Sequence, residues 1–222
     1  MNSLIKKKII KKFCHLNQLG NTLLTPFVIS KEKKVIYYHI AKTGGSSIFK
    51  LLEKNGLNDG ILSNKSLNYD KKVEYFLEIV NEWDQYYKFT FVRNKYDQLI
   101  SQYNYDHQLL KDISFEIFIK EHLSKKSKYS PIHDYYWLDQ YFLTTIDNKN
   151  IFDFVGKFEN YANDVRSVCD QININYEEIR VNVGTYKKSK KESYYNNELK
   201  QLVDQKFESE MEYFNWKLEK SG

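Results

Sequence analysis

At the end of an apolar run the chain reads Ala41-Lys42-Thr43-Gly44-Gly45-Ser46-Ser47, and residue types in this order can hold a phosphate. Gly44 and Gly45 let the backbone turn tightly and approach a ligand closely. Ser46 and Ser47 stand where a helix begins, and a helix start offers unpaired N–H groups and the positive end of its dipole to an anion. Lys42 adds a full positive charge, and the hydroxyls of Thr43, Ser46 and Ser47 add donors. A second group lies in "FTFVRNKYDQLISQYNY", where Arg93 ends an apolar run and Ser101 follows eight residues later. That spacing is about two helical turns. An arginine fork grips phosphate bidentately, and a serine hydroxyl donates one further hydrogen bond. Two such anion sites suit a nucleotide phosphorylated at two positions.

Both groups need elements to carry them. Val35, Ile36, Tyr37, Tyr38 and Ile40 are β-branched or aromatic, as in a buried strand, and Ile48, Leu51 and Leu52 then recur at helical spacing. Residues 57–70 read as a loop, and Val73, Phe76, Leu77 and Val80 as a helix. "YKFTFVRN" at 87–94 predicts a strand, with a helix through Leu99, Ile100 and Tyr103 behind it. Helices are expected at 114–123, opened by Ser114 as N-cap, and at 134–143. "IFDFVGKFEN" at 151–160 predicts a third strand and "YANDVRSVCDQINI" its helix; "VGTYKKSKKESYY" reads as a basic loop. One amphipathic helix is expected over 195–214, on Leu199, Leu202, Val203, Phe207 and Met211. Strands alternating with helices predict an α/β fold: three layers around a mostly parallel sheet. Ligands of such sheets bind beyond the carboxyl ends of the strands, which is where Lys42 and Arg93 stand.

The segments "HIAKTGGSSIFKLL" and "FTFVRNKYDQLISQYNY" resemble the 5′-phosphosulfate loop and the 3′-phosphate motif of the carbohydrate sulfotransferases. "DFVGKFENYANDVRSVC" and "YYNNELKQLVDQKFESEMEYFNW" resemble that family's later strand–helix segment and closing helix, so the likeness covers roughly residues 35–216. The resemblance implies a nucleotide-kinase-like, P-loop-related sulfotransferase fold. It implies PAPS (3′-phosphoadenosine 5′-phosphosulfate) as co-substrate and 3′,5′-ADP as spent donor; the chemistry demands no metal, and the sequence offers no ligand cluster for one. Lys42 would stabilise the bridging oxygen, residues 43–47 would hold the 5′-phosphate, and Arg93 and Ser101 would hold the 3′-phosphate. Its place before the final helix suggests that the basic loop closes over the donor through Lys188 and Ser189; a solvated charge run is the alternative. The chain departs from the family pattern at Lys95, where a proline is usual, and at Gln98, where an arginine is usual. Loss of the proline is expected to cost little.

The proton acceptor stays open. Relatives often place a His or Glu between the two motifs, but no histidine lies between Lys42 and Arg93. Glu53, Asp59, Asp70 and Glu74 do, and Asp70 after the Asn-rich loop is the best placed; His107 and His133 are alternatives. Tyr103, Tyr105, Tyr135 and Tyr136 could stack on sugars or pack in the core. A small-molecule kinase would need its lysine after the glycines, within Gly-x-x-x-x-Gly-Lys-Ser/Thr, whereas Lys42 precedes them. A non-catalytic module binding a nucleotide or an anionic glycan is the other rival.

Composition narrows the rest. The 222 residues fit one domain, expected at 35–222 behind a partly helical basic extension at 1–34. A net charge of +5 in mixed signs speaks against nucleic acid as partner and leaves a carbohydrate or glycolipid acceptor, such as a bacterial surface polysaccharide precursor. Cys14 and Cys169 stand far apart, which argues against a disulfide scaffold or zinc cluster and fits a reducing compartment. "MNSLIKKKIIKKFCHL" lacks a signal-like apolar core. A cytoplasmic protein is expected, with this segment either touching an anionic membrane surface peripherally, packed on the domain or frayed.

Overall fold

The computed structural model describes residues 1–17, 27–64, 66–106, 113–123, 139–179, 181 and 193–218. Along the chain its elements are α1 (Ser3–Asn17), β1 (Phe27–Ser30), β2 (Val35–Tyr38), α2 (Gly45–Lys54), α3 (Tyr69–Asn81), β3 (Tyr87–Val92), α4 (Lys95–Asp106) and α5 (Phe115–Leu123). There follow α6 (Gln140–Thr144), β4 (Thr145–Ile146), β5 (Lys149–Asn150), β6 (Phe154–Lys157), α7 (Tyr161–Gln171), α8 (Asn197–Lys206) and α9 (Glu208–Phe214). Two compact units share them: Met1–Val92 with Thr144–Val181, and Arg93–Leu143 with Asn182–Gly222.

The first unit holds a four-stranded sheet in the order β1-β2-β3-β6. β2, β3 and β6 run parallel, in a register that sets Tyr37 beside Phe89 and Phe91 beside Gly156. β1 pairs antiparallel with β2 and edges the sheet. Side chains alternate across it. Val28, Val35, Tyr37, Phe89 and Phe91 pack on Ile48, Leu51 and Leu52 of α2 and on Val165 and Val168 of α7. From the opposite face Phe27 and Tyr38 meet Phe13 of α1, at ring centroids of 5.0 and 5.1 Å, and Phe27 also meets Phe76 of α3. The expected three layers are thus present, with parallel strands buried on both sides as such sheets require. α1 is docked by buried Ile9 and Phe13, by a Lys8–Asp147 ion pair, and by Lys6 and Lys12 donating to the carbonyls of Asn81 and Thr145. No described helix is long and apolar enough to cross a membrane.

In the second unit Tyr103 of α4 packs on Phe115 and Phe118 of α5, and Phe115 on Tyr194 and Tyr195. Ser114 caps α5, its Oγ accepting from the Ile117 N–H at 3.3 Å. The closing helix is two helices, not the single one expected. Asn196 caps α8 by accepting from the Leu199 N–H (2.8 Å), and the chain breaks at Phe207 (φ −116°, ψ 29°) before α9. Phe207 is 1 % exposed and its ring lies 4.2 Å from Lys95 Nζ, so burial of one side chain overrides an unbroken apolar period. The strand expected at 151–160 is shorter, with Phe158–Asn160 forming a 3₁₀ turn. Of the helix expected at 134–143, the described residues show only α6.

Candidate functional site

The loop after β2 is held open by its own backbone. Lys42 and Gly44 take left-handed conformations (φ 62° and 85°), which glycine adopts freely and lysine does not. The Thr43 hydroxyl, fully buried, donates to the Ile40 carbonyl at 2.6 Å and closes the turn from inside. α2 then starts at Gly45 with Gly44 as its N-cap, without a side-chain cap and without an acidic residue in its first turn. Its first turn therefore brings no carboxylate of its own to the positive end, which suits an anion.

Aromatic rings wall the two glycines. A Cβ on Gly44 would lie 2.6 Å from the Tyr161 ring and 3.1 Å from that of Phe158. On Gly45 it would lie 2.0 Å from the His39 ring and 2.7 Å from the Tyr37 hydroxyl. Tyr161 also donates its hydroxyl to the Gly44 carbonyl (2.9 Å), so the Phe158-Glu159-Asn160-Tyr161 turn buttresses the loop. Burial pushes the Tyr161 phenol up to about 12, against a weaker pull from the Ser47 hydroxyl, and keeps it a donor. Burial, with the charge of Lys42 behind it, lowers His39 to about 4, so its imidazole is neutral. Ser47 Oγ accepts from the Val181 N–H at 3.1 Å. Neither Tyr161 nor His39 was singled out in the sequence. His39 adjoins the motif and was legible there, whereas Tyr161 is brought in only by the β3–β6 pairing.

In the second unit Arg93 is the residue after β3, and Ser101 is half-buried on α4. The backbone of Arg93 is clamped by Gln140, whose Oε1 accepts from the Arg93 N–H (2.9 Å) and whose Nε2 donates to the Arg93 carbonyl (2.8 Å). Gln140 Nε2 donates also to Glu210 Oε1 at 2.7 Å, and the Gln140 N–H to Glu210 Oε2. Lys95 is no idle replacement for a proline. It is fully buried, 3.2 Å from Glu210 Oε2, and donates to Gln98 Oε1 at 2.7 Å. The two departures from the family pattern, Lys95 and Gln98, are thus partners. Burial pushes the Glu210 carboxyl up to about 7; Lys95 and the Gln140 donors pull it down, and Asp139 adds to the rise.

The candidate bases do not converge among the described residues. Asp70 is exposed in the first turn of α3, Glu53 and Glu74 are exposed on α2 and α3, and Asp59 accepts from the Tyr75 hydroxyl and the Lys31 N–H. Tyr103 serves the core, its hydroxyl donating to the Ile113 carbonyl (2.8 Å), while Tyr105 is 49 % exposed. His107, His133, Lys188, Ser189, Tyr135 and Tyr136 lie outside the described residues. Among the described residues no group of three or more His, Cys, Asp or Glu could hold a metal ion.

Comparison with known proteins adds one match. The model of the sulfotransferase family covers residues 25–217, from just ahead of β1 to just past α9. No curated protein and no solved structure matches the chain. With the match spanning most of the sequence, and with a mostly parallel α/β sheet and a glycine turn at a bare helix start, the chain belongs to the sulfotransferase family, transferases that move a sulfonate group from a donor.

Proposed function

We propose that this transferase takes its sulfuryl group from PAPS and passes it to a hydroxyl or amine of a carbohydrate, such as a bacterial surface polysaccharide or a glycolipid. The observation that carries the reading is the Lys42–Ser47 turn: left-handed backbone, two glycines walled by rings, and an α2 start whose N-cap, Gly44, has no side chain to cap it. Lys42 and the first-turn N–H groups take the 5′-phosphosulfate end. Arg93 and Ser101 take the 3′-phosphate and position the donor. The Thr43 hydroxyl donates to the Ile40 carbonyl and the Ser47 N–H to the Gly44 carbonyl, so Thr43 contributes to the site through its N–H and Ser47 through its hydroxyl.

In the reaction the bond from sulfur to the bridging 5′-phosphate oxygen breaks, and a bond from sulfur to the acceptor oxygen or nitrogen forms. Negative charge collects on the leaving phosphate, by analogy with loose phosphoryl transfer, where Lys42 offsets it. The acceptor's proton passes to a carboxylate or imidazole; Asp70 is the candidate, with His107 and His133 as alternatives. The products are 3′,5′-ADP and the sulfated acceptor. Lys188 and Ser189 are proposed to cover the donor.

The deciding experiment is transfer of labelled sulfate from PAPS across oligosaccharides and lipid-linked sugars. Wild type should sulfate at least one of them and continue to do so in excess chelator. Binding of 3′,5′-ADP without turnover would make the chain a binding module, and a strict Mg²⁺ requirement would favour phosphoryl transfer. Arg93→Ala should weaken 3′,5′-ADP binding by about 1.5–3 kcal/mol, the scale of a charged hydrogen bond. Unchanged affinity in a folded Arg93→Ala protein would remove the 3′-phosphate assignment.

A further inference from the structure

We propose that Gln140, seated by Glu210, is the positioning residue for the donor's 3′-phosphate arginine. The proposal rests on the reading of Arg93 as the group that holds that phosphate. Gln140 engages both backbone groups of Arg93, as a residue of a neighbouring strand would, at 2.9 and 2.8 Å. A primary amide can sit either way round unless its partners decide. Here they do: one Nε2 proton goes to the Arg93 carbonyl, the other to Glu210 Oε1, and the Gln140 N–H goes to Glu210 Oε2. Oε1 is left to face the Arg93 N–H.

Behind this clamp stands a charge pair that stability alone does not explain. Lys95 and Glu210 are both fully buried at 3.2 Å. Such pairs often contribute no more than well-packed apolar residues would, because both charges lose their hydration. What the pair does here is geometric. Lys95 balances the carboxylate that fixes the Gln140 amide, and Gln98 holds Lys95 in turn. An arginine fork needs its base held to a fraction of an ångström to meet a phosphate bidentately, and the backbone clamp supplies that restraint.

The test is calorimetric titration of 3′,5′-ADP into wild type, Gln140→Ala, Arg93→Ala and the double variant, with PAPS kinetics alongside. Gln140→Ala should weaken 3′,5′-ADP about tenfold and raise the KM for PAPS with kcat largely kept. In the Arg93→Ala background it should weaken binding no further, since it acts only through Arg93. Glu210→Gln, similar in shape, should give a smaller loss of the same kind, and decides the matter if Gln140→Ala does not fold. Wild-type affinity in folded Gln140→Ala, or in Glu210→Gln where that variant must decide, overturns the proposal. So do losses that add fully in the double variant. If Arg93→Ala itself binds like wild type, the donor reading fails instead.

Discussion

Lys42 carries its charge on a left-handed backbone, a conformation that costs a lysine roughly 1–2 kcal/mol. A site that tolerates this gains placement of the ammonium beside the glycine turn. If the ammonium meets the bridging oxygen mainly as charge develops there, its loss appears in kcat more than in donor affinity. Lys42→Ala should then lower kcat by on the order of 10² or more, the scale of one preorganised donor. Lys42→Arg should not restore it, because a planar fork cannot stand in for a compact ammonium. Steady-state kinetics on both variants checks this, and a Lys42→Ala protein with wild-type kcat would make Lys42 a structural cation only. Gly44 has a different sensitivity. Its φ of 85° and the Tyr161 ring 2.6 Å from a would-be Cβ leave Ala no room. Gly44→Ala should cost about 1–3 kcal/mol in urea unfolding and weaken 3′,5′-ADP as well. Tyr161→Phe keeps the ring and loses only the bond to the Gly44 carbonyl, so its cost should stay near 1 kcal/mol.

At the scale of elements, β3 and β6 form the joint on which the loop depends. Phe91 faces Gly156 across the pair, and a Cβ there would lie 2.5 Å from the Phe91 ring. Gly156→Ala should therefore destabilise the protein by about 1–3 kcal/mol, measured by urea unfolding, and loosen the Tyr161 buttress behind it. The strands β2, β3 and β6 were legible because each is a dense run of β-branched or aromatic residues, and α2, α3, α4 and α7 because their apolar period is strong. β1 was not, although Phe27–Ser30 is as long and as apolar as β2: it pairs antiparallel with the next strand, with no helix between them to mark it as part of the alternating pattern. The break at Phe207 was hidden for a different reason: local period cannot show which apolar side chain a buried lysine will meet. The Lys42 loop and Arg93 could be read from residue type and spacing. Gln140 and Glu210 could not, because their role depends on a contact across 70 positions of sequence.

Across the whole molecule half-buried His39 and buried Glu210 pull the pH dependence of stability in opposite directions. His39 is lowered from 6.5 to about 4 by burial and the Lys42 charge. Stability from it is present above 6.5 and lost as pH falls toward 4. Glu210 is raised from 4.5 to about 7, chiefly by burial. Its contribution is present below 4.5 and lost as pH rises toward 7. The two windows overlap, so wild type should show a shallow profile between pH 4.5 and 6.5. Glu210→Gln should uncover the His39 slope, with stability climbing as pH rises in urea titrations across that range; a profile parallel to wild type would refute the assignment. The interleaving of the two units also orders events on the ribosome. The unit carrying the glycine loop has all its segments once Val181 is made, whereas Arg93 and Gln140 must wait for Glu210, synthesised seventy residues after the glutamine it orients. A nascent chain halted between these points already holds every part of the loop and its Tyr161 buttress, but not the carboxylate that aims the arginine's clamp. On the proposed reading of Arg93, competence to recognise the 3′-phosphate is then among the last properties the growing polypeptide acquires.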